Sequence, residues 1–234
     1  MNRLIVLLLL LFGLVSSGHT QTYGKHPFDS KKFHLGFQMG LNWNGYNLKE
    51  QIRIYESGVW LDEVTVIPRW GMSFAMISNF NIKDYLAIRI IPGISLEQRD
   101  FNFYFEDSYG PVDTVGPIAR NIEAAYLNVP VLFQWRTKYW NRSRLYVLTG
   151  AQIGINLQSD KKVIDDPNKL KINTQDLSLV IGTGLNLYGD RLKLSPEIRY
   201  SFGLTNIYQP ENTTHAAAIS ALFSQVLTLS INFE

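Results

Sequence analysis

The sequence predicts an all-β fold, a membrane-spanning antiparallel up-and-down β-barrel of about eight strands. Three observations carry this: a period of two along the chain, a difference in bulk between the two faces it defines, and a regular alternation of short and long connections. The period is clearest in residues 177–204. Leu177, Leu179, Ile181, Thr183, Leu185 and Leu187 share one face, and Ser178, Val180, Gly182, Gly184, Asn186 and Tyr188 the other. After a Gly189-Asp190 turn, Leu192, Leu194, Ile198, Tyr200, Phe202 and Leu204 oppose Lys193, Ser195, Glu197, Arg199, Ser201 and Gly203. Two alternating runs joined by a tight turn mark an antiparallel hairpin.

Bulk sets the sidedness. A lipocalin-like barrel turns its apolar face inward, and a membrane barrel turns it outward. Leu, Phe and Tyr at every second position of every strand cannot fit inside a small barrel, whereas Gly, Ser and Asn can. The bulky face is therefore expected to meet lipid. On that assignment Ile181→Arg should cost roughly 2–4 kcal/mol at mid-membrane, and Gly182→Ser should be mild.

Composition agrees. A chain of 234 residues suits one domain, and 46% hydrophobic content with a mean hydropathy near zero fits strands apolar on one side only. The net charge of +2 implies no polyanionic partner, so no nucleic acid. With no cysteine, a zinc-thiolate site, a catalytic thiol, a disulfide and a lipid-modified cysteine are all excluded. Residues 1–21 read as a secretory signal peptide: Asn2-Arg3, an apolar run over 4–15 broken only at Gly13, then Ser16-Ser17-Gly18. That run is short against the roughly 20 residues a membrane helix needs. Residues 22–234 are then the barrel domain, and the expected location is the outer membrane.

After a polar lead at 22–32, the first strand sets Phe33, Leu35, Phe37, Met39, Leu41 and Trp43 against His34, Gly36, Gln38, Gly40 and Asn42. A long polar segment is expected over 44–67. The second strand carries Trp70, Met72, Phe74, Met76 and Phe80 outward, with Arg69, Gly71, Ser73, Ala75 and Asn79 inward. A short turn at 81–84 leads to the third, with Leu86, Ile88, Ile90, Ile94 and Leu96 against Tyr85, Ala87, Arg89, Gly93, Ser95, Glu97 and Arg99. A second long segment spans 100–121. Leu127, Val129, Val131, Phe133 and Trp135 form the fourth strand, and Leu145, Val147, Ala151, Ile153, Ile155 and Leu157 the fifth, across a basic turn at 138–143. A charged loop at 159–175 precedes the hairpin described first. A fourth long segment, 205–224, leads to a last strand with Leu227, Leu229, Ile231 and Phe233 outward. Within it, residues 215–225 have helical spacing and read equally as a short helix or as loop or strand extension.

Short turns on the periplasmic side and long loops outside are the pattern of outer-membrane barrels, and an even count returns both ends to the periplasm. Trp43, Trp70, Trp135, Trp140, Tyr200 and Phe233 fall near strand ends, where aromatic girdles belong. Pro92, Pro130 and Pro196 stand inside expected strands, each deleting a ladder donor, and Pro92-Gly93 is the expected kink or bulge.

The inward charges are the residues with chemistry: Arg69, Arg89, Glu97, Arg99, Lys193, Glu197 and Arg199, with His34, Gln38 and Gln134 near them. Their bland reading is a set of paired ions filling a narrow interior. The sharper readings are an ion path or a catalytic dyad. A Ser-His-acid set is not evident beside His34, the four histidines show no metal spacing, and Gly182-Thr183-Gly184 lacks a phosphate-loop lysine and helix. No catalytic residue, cofactor, metal or small-molecule substrate is expected.

Several runs resemble a known family: Phe33-His34-Leu35-Gly36-Phe37 with Gly40-Leu41-Asn42, the stretch 86–95 with Gln98-Arg99, the stretch 126–132, and the stretch 194–206. Together they are similar to the PorT family, called SprT in gliding bacteria, outer-membrane barrels of Bacteroidetes required for type IX secretion. The awkward prolines fall inside these runs. Asn128 departs from the family pattern, which has an acid there. The resemblance implies an accessory role in protein secretion and the associated gliding motility. The implied partners are outer-membrane lipid and other secretion components, with no catalytic residues. A barrel this small does not pass folded protein, so a partner would supply the pore. The other reading is a structural or adhesive outer-membrane barrel unrelated to secretion.

Overall fold

The computed structural model describes residues 27–50, 59–107, 110–111, 118–157, 173–207 and 219–234. The expected signal segment 1–21 and the centres of the long connections lie outside the described residues. A single helical turn, α1 (Pro27–Ser30), precedes ten strand segments: β1 (Phe33–Glu50), β2 (Val59–Lys83), β3 (Leu86–Ile90), β4 (Gly93–Asp107), β5 (Gly110–Pro111), β6 (Ile118–Arg136), β7 (Ser143–Asn156), β8 (Gln175–Tyr188), β9 (Lys193–Gly203) and β10 (Ile219–Phe233). β3 and β4 are one wall strand interrupted at Ile91-Pro92, and β5 is a two-residue return against the tip of β4. Eight wall strands result. All pair antiparallel, and β1 bonds β2 on one side and β10 on the other, so the sheet closes.

The register fixes the barrel's geometry. Paired residues followed once around run Leu35, Ser78, Ile90, Val131, Ala151, Leu179, Phe202, Gln225 and back to Gly45 on β1. The return point lies ten residues beyond the start (45 against 35). An even stagger keeps every side chain on its own face around the circle. With eight strands it goes with a tilt of roughly 35–45° and an interior just wide enough for side chains.

Burial follows the predicted faces. Phe33, Leu35, Phe37, Met39, Leu41 and Trp43 are exposed on the outer wall, while His34, Gln38 and Asn42 are buried inside. β8 alternates in the same way. Outer aromatics meet across strands, with Phe37 stacked on Phe233 at 4.7 Å and Trp43 edge-on to Trp70 at 4.9 Å. Such cross-strand pairs stabilise a sheet locally.

The prolines are absorbed by local breaks. At Ile91-Pro92 the ladder passes from β3 to β4, and Met76 N still donates to Pro92 O at 2.9 Å while Ile91 N donates to Pro130 O at 3.1 Å. Opposite Pro196, the β8–β9 register is continuous at Gly184 and Leu187 but unpaired between them, and the Ser195 hydroxyl donates instead to Asn186 Oδ1 at 2.8 Å.

The long connections differ from expectation. Much of 44–67 and 100–121 is strand: β1 continues to Glu50, β2 starts at Val59, β4 reaches Asp107, and β6 starts at Ile118. From residue 219 the segment of helical spacing is strand extension in β10, and 215–218 lies outside the described residues. Beyond the lipid both faces of a sheet meet water, so the apolar-polar alternation that flags a membrane strand fades while pairing continues. Val64 and Val66, residues of good strand propensity, stand opposite Phe103 and Phe101 in register.

Candidate functional site: the barrel interior

The interior is layered. At the short-turn end, α1 sets Asp29 into the mouth. Arg136 Nη1 donates to its Oδ1 at 3.0 Å, and Arg144 Nη1, Tyr139 and Tyr188 donate to its Oδ2 at 2.9, 2.6 and 2.7 Å. Burial pushes this carboxyl up, but the Arg136 guanidinium and the two phenols outweigh it and hold the group below its ordinary value. The same arginines tie the mouth together: Arg136 reaches Asn81 Oδ1 at 2.7 Å, and Arg144 reaches the Asp84 carbonyl at 2.6 Å.

Above the mouth lies a continuous ionic cluster. Glu234 accepts from Lys193 Nζ and Arg89 Nη2, both at 2.7 Å, and contacts His34 Nε2. Arg89 Nη1 reaches Glu197 Oε2 at 3.2 Å, which also accepts from the Tyr146 hydroxyl at 2.6 Å and Asn232 Nδ2 at 3.0 Å. Arg199 Nε sits 3.1 Å from Glu197 Oε1, and its Nη2 donates to Gln38 at 2.5 Å. The cluster thus joins β1, β3, β7, β9 and β10. Burying ions is costly unless each is paired and hydrogen-bonded, which is the arrangement here.

Beside the ionic cluster, on the facing strands, stands an apolar collar of Ile77, Ile91, Leu132, Leu148 and Val180, with the Tyr146 ring 5.5 Å from the Arg89 guanidinium. Each is 1% exposed or less. Gln38 on β1, Ser195 on β9 and Asn232 on β10 are equally inaccessible, at 2% or less, so all eight wall strands contribute sealed side chains to this zone. A cavity of about 40 Å³ borders Ile91 of the collar and Gln38 and Arg199 of the ionic cluster, and extends between Asn42, Ser73, Ser95, Glu97 and Thr228. Asn42 donates to Ser95 at 2.8 Å, and Ser95 to Glu97 at 3.0 Å. At the far rim Asp176 accepts from Thr205 at 3.1 Å and from Ser224.

Of the residues singled out from sequence, the fold brings His34, Gln38, Arg89, Lys193, Glu197 and Arg199 into one network. Glu97 sits apart, beside Ser95 at the cavity, and Gln134 is buried on β6. Arg69 pairs with the buried Asn44 on β1 but lies outside the network, at the far rim. The β2–β4 register shifts between Pro68 and Met72, and the Arg69 side chain is 53% exposed, its Nε bonding Asp100 at 2.7 Å. Arg99 pairs through its backbone with Pro68 and Ile122, and its side chain lies outside the described residues. Residues missed were Asp29, Arg136, Arg144, Asp176 and Glu234. Glu234 shares the parity of Asn232 and Ser230, a signal that was available. Among the described residues no group of three or more His, Cys, Asp or Glu is placed to hold a metal ion.

The outward apolar wall, the closed register and the filled interior agree with comparison to protein families. The model for the outer membrane protein beta-barrel domain matches residues 20–209. The chain belongs to that family. As a small outer-membrane β-barrel, it resides in the outer membrane and meets its lipid. Among solved structures it is similar to OprG from Pseudomonas aeruginosa, 11% identical over 85% of this chain and 94% of that one, with a TM-score of 0.43. Neisserial surface protein A is 11% identical over 86% and 98%, with a TM-score of 0.39. Ail of Yersinia pestis, crystallised with the heparin analogue sucrose octasulfate, is 13% identical over 87% and 99%, with a TM-score of 0.38. No curated protein sequence matches the chain.

Proposed function

We propose that this barrel is an accessory component of type IX protein secretion in the outer membrane, acting through protein-protein contacts and not through catalysis or conduction. The observation that carries the reading is the sealed interior. With side chains from every wall strand packed to 2% exposure or less, the working surfaces are the outer ones. These are the strands that rise beyond the apolar belt, the lipid-facing wall and the periplasmic mouth. The PorT-like runs around Arg89, Pro130 and Glu197 supply the secretion role, and they coincide with the ionic cluster. In this reading the cluster is structural, holding the wall rigid enough to present a docking surface, while a larger partner provides the path for cargo.

The alternative is a structural or adhesive barrel. It draws on β1, β2, β4, β6 and β10, which extend past the register of β7–β9 and so offer surface outside the membrane. Deleting the gene in its native host and quantifying secreted proteins, with a complemented strain beside it, separates the two. Loss of secreted cargo with periplasmic build-up, restored on complementation, is expected. Normal secretion with altered adhesion or envelope integrity would transfer the role to the alternative.

A further inference from the structure

The periplasmic rim has a chemistry that the interior does not use. Its exposed cations are Lys31 and Lys32 before β1, Lys83 between β2 and β3, Lys138 and Arg142 between β6 and β7, and Arg191 between β8 and β9. Against these six stand two exposed acids in the same turns, Asp84 and Asp190. Asp190 pairs with Arg142 at 3.3 Å, and among the described residues the other five cations have no ion-pair partner.

Each turn sets a cation beside exposed apolar surface. Ile82 and Tyr85 flank Lys83, whose ammonium lies 5.7 Å from the Tyr85 ring centroid. Trp140 lies between Lys138 and Arg142, and Leu192 follows Arg191. Side chains that pair an apolar body with a cationic tip belong at the boundary between hydrocarbon and headgroups. The apolar belt of the outer wall ends at these same turns.

We propose that this rim binds the phosphates of anionic phospholipids in the periplasmic leaflet. Distribution favours lipid over a protein partner. The cations are spread over turns all around the circumference, at one height, where a protein partner would meet a single sector. Each basic residue near an anionic surface is worth about fivefold in partitioning. The selectivity should therefore survive the loss of one and fail on the loss of several.

The test reconstitutes the full barrel in mixed vesicles and follows quenching of its tryptophan fluorescence by brominated lipid. Brominated phosphatidylglycerol is compared with brominated phosphatidylcholine for the wild type and for a Lys83→Gln, Lys138→Gln, Arg191→Gln triple variant. Among the described residues none of the three has an ion partner to strand, and heat-modifiable gel migration verifies folding. The wild type should prefer the anionic lipid by at least about threefold, weakening in high salt, and the triple variant should show near-equal quenching by both lipids. Equal quenching of the wild type, or an unchanged preference in the folded triple variant, would overturn the proposal.

Discussion

The two halves of the barrel interior share one wall and one alternation, yet they are filled differently. Toward the mouth, long ionic and aromatic side chains cross the lumen; toward the far rim, mainly amides and hydroxyls surround a cavity that Arg199 and Glu97 also border. The glycines show why. In the lower half, a Cβ on Gly36 would strike the Glu234 side chain, one on Gly182 would strike Arg199, and one on Gly184 would strike the Tyr146 ring. In the upper half Gly40 faces the Ser73 hydroxyl, Gly71 faces Asn44 and Gly154 faces Asn128. Each lower glycine thus makes room for a large group that fills the barrel, while the upper ones face shorter amides and hydroxyls.

Breaking the lower half should cost most. Arg89→Ala removes the one guanidinium that Glu197 and Glu234 share in a sealed site, and losing one partner of a buried ionic network is worth roughly 3–5 kcal/mol. Urea unfolding in vesicles should show a loss of that size. Gly182→Ser comes next. The sequence alone made it mild, but its Cβ would lie 2.7 Å from both Arg199 Cγ and the Ile198 carbonyl oxygen. That backbone atom cannot rotate away, so about 1–3 kcal/mol is expected in the same assay.

The Asp29 latch at the mouth is pH-dependent. Its folded-state pKa is lowered, so its contribution is fully present above the unfolded value of about 4. It is lost as pH falls through the folded value, removing about 1–2 kcal/mol. Proteolysis at the α1 segment should therefore accelerate below about pH 4 in the wild type and be fast at neutral pH in Asp29→Asn. Smallest of all should be Gly40→Ala in the upper half. There the nearest atom is the rotatable Ser73 hydroxyl and the next contacts are 3.3 Å or more away. A change under about 1 kcal/mol is expected, and parity with Gly182→Ser would erase the distinction between the halves.

How much of this was legible follows from which interactions are local. Parity along a strand is local, so it placed His34, Gln38, Arg89, Lys193, Glu197 and Arg199 inside and would have placed Glu234 had the last strand been read one residue further. The exposure of Arg69 and its bond to Asp100 were not legible, because a shift in pairing with β4 is a property of two strands, invisible in one. Asp29 was beyond reach, since a helical turn folding back into the mouth depends on Arg136 and Arg144, more than 100 positions away. The strand tips above the lipid escaped because alternation reports lipid contact, and there is none there.

The central claim is that the interior is closed and the work is done outside it. Single-channel recording of the purified, folded barrel in planar bilayers tests it most directly. The account predicts no stable open conductance from the wild type at moderate voltage, with a conducting pathway appearing only when the collar and ionic cluster are cut back together, as in Leu132→Ala with Leu148→Ala and Arg89→Ala. A steady open conductance from the wild type would contradict it and return the lumen to the centre of the protein's function.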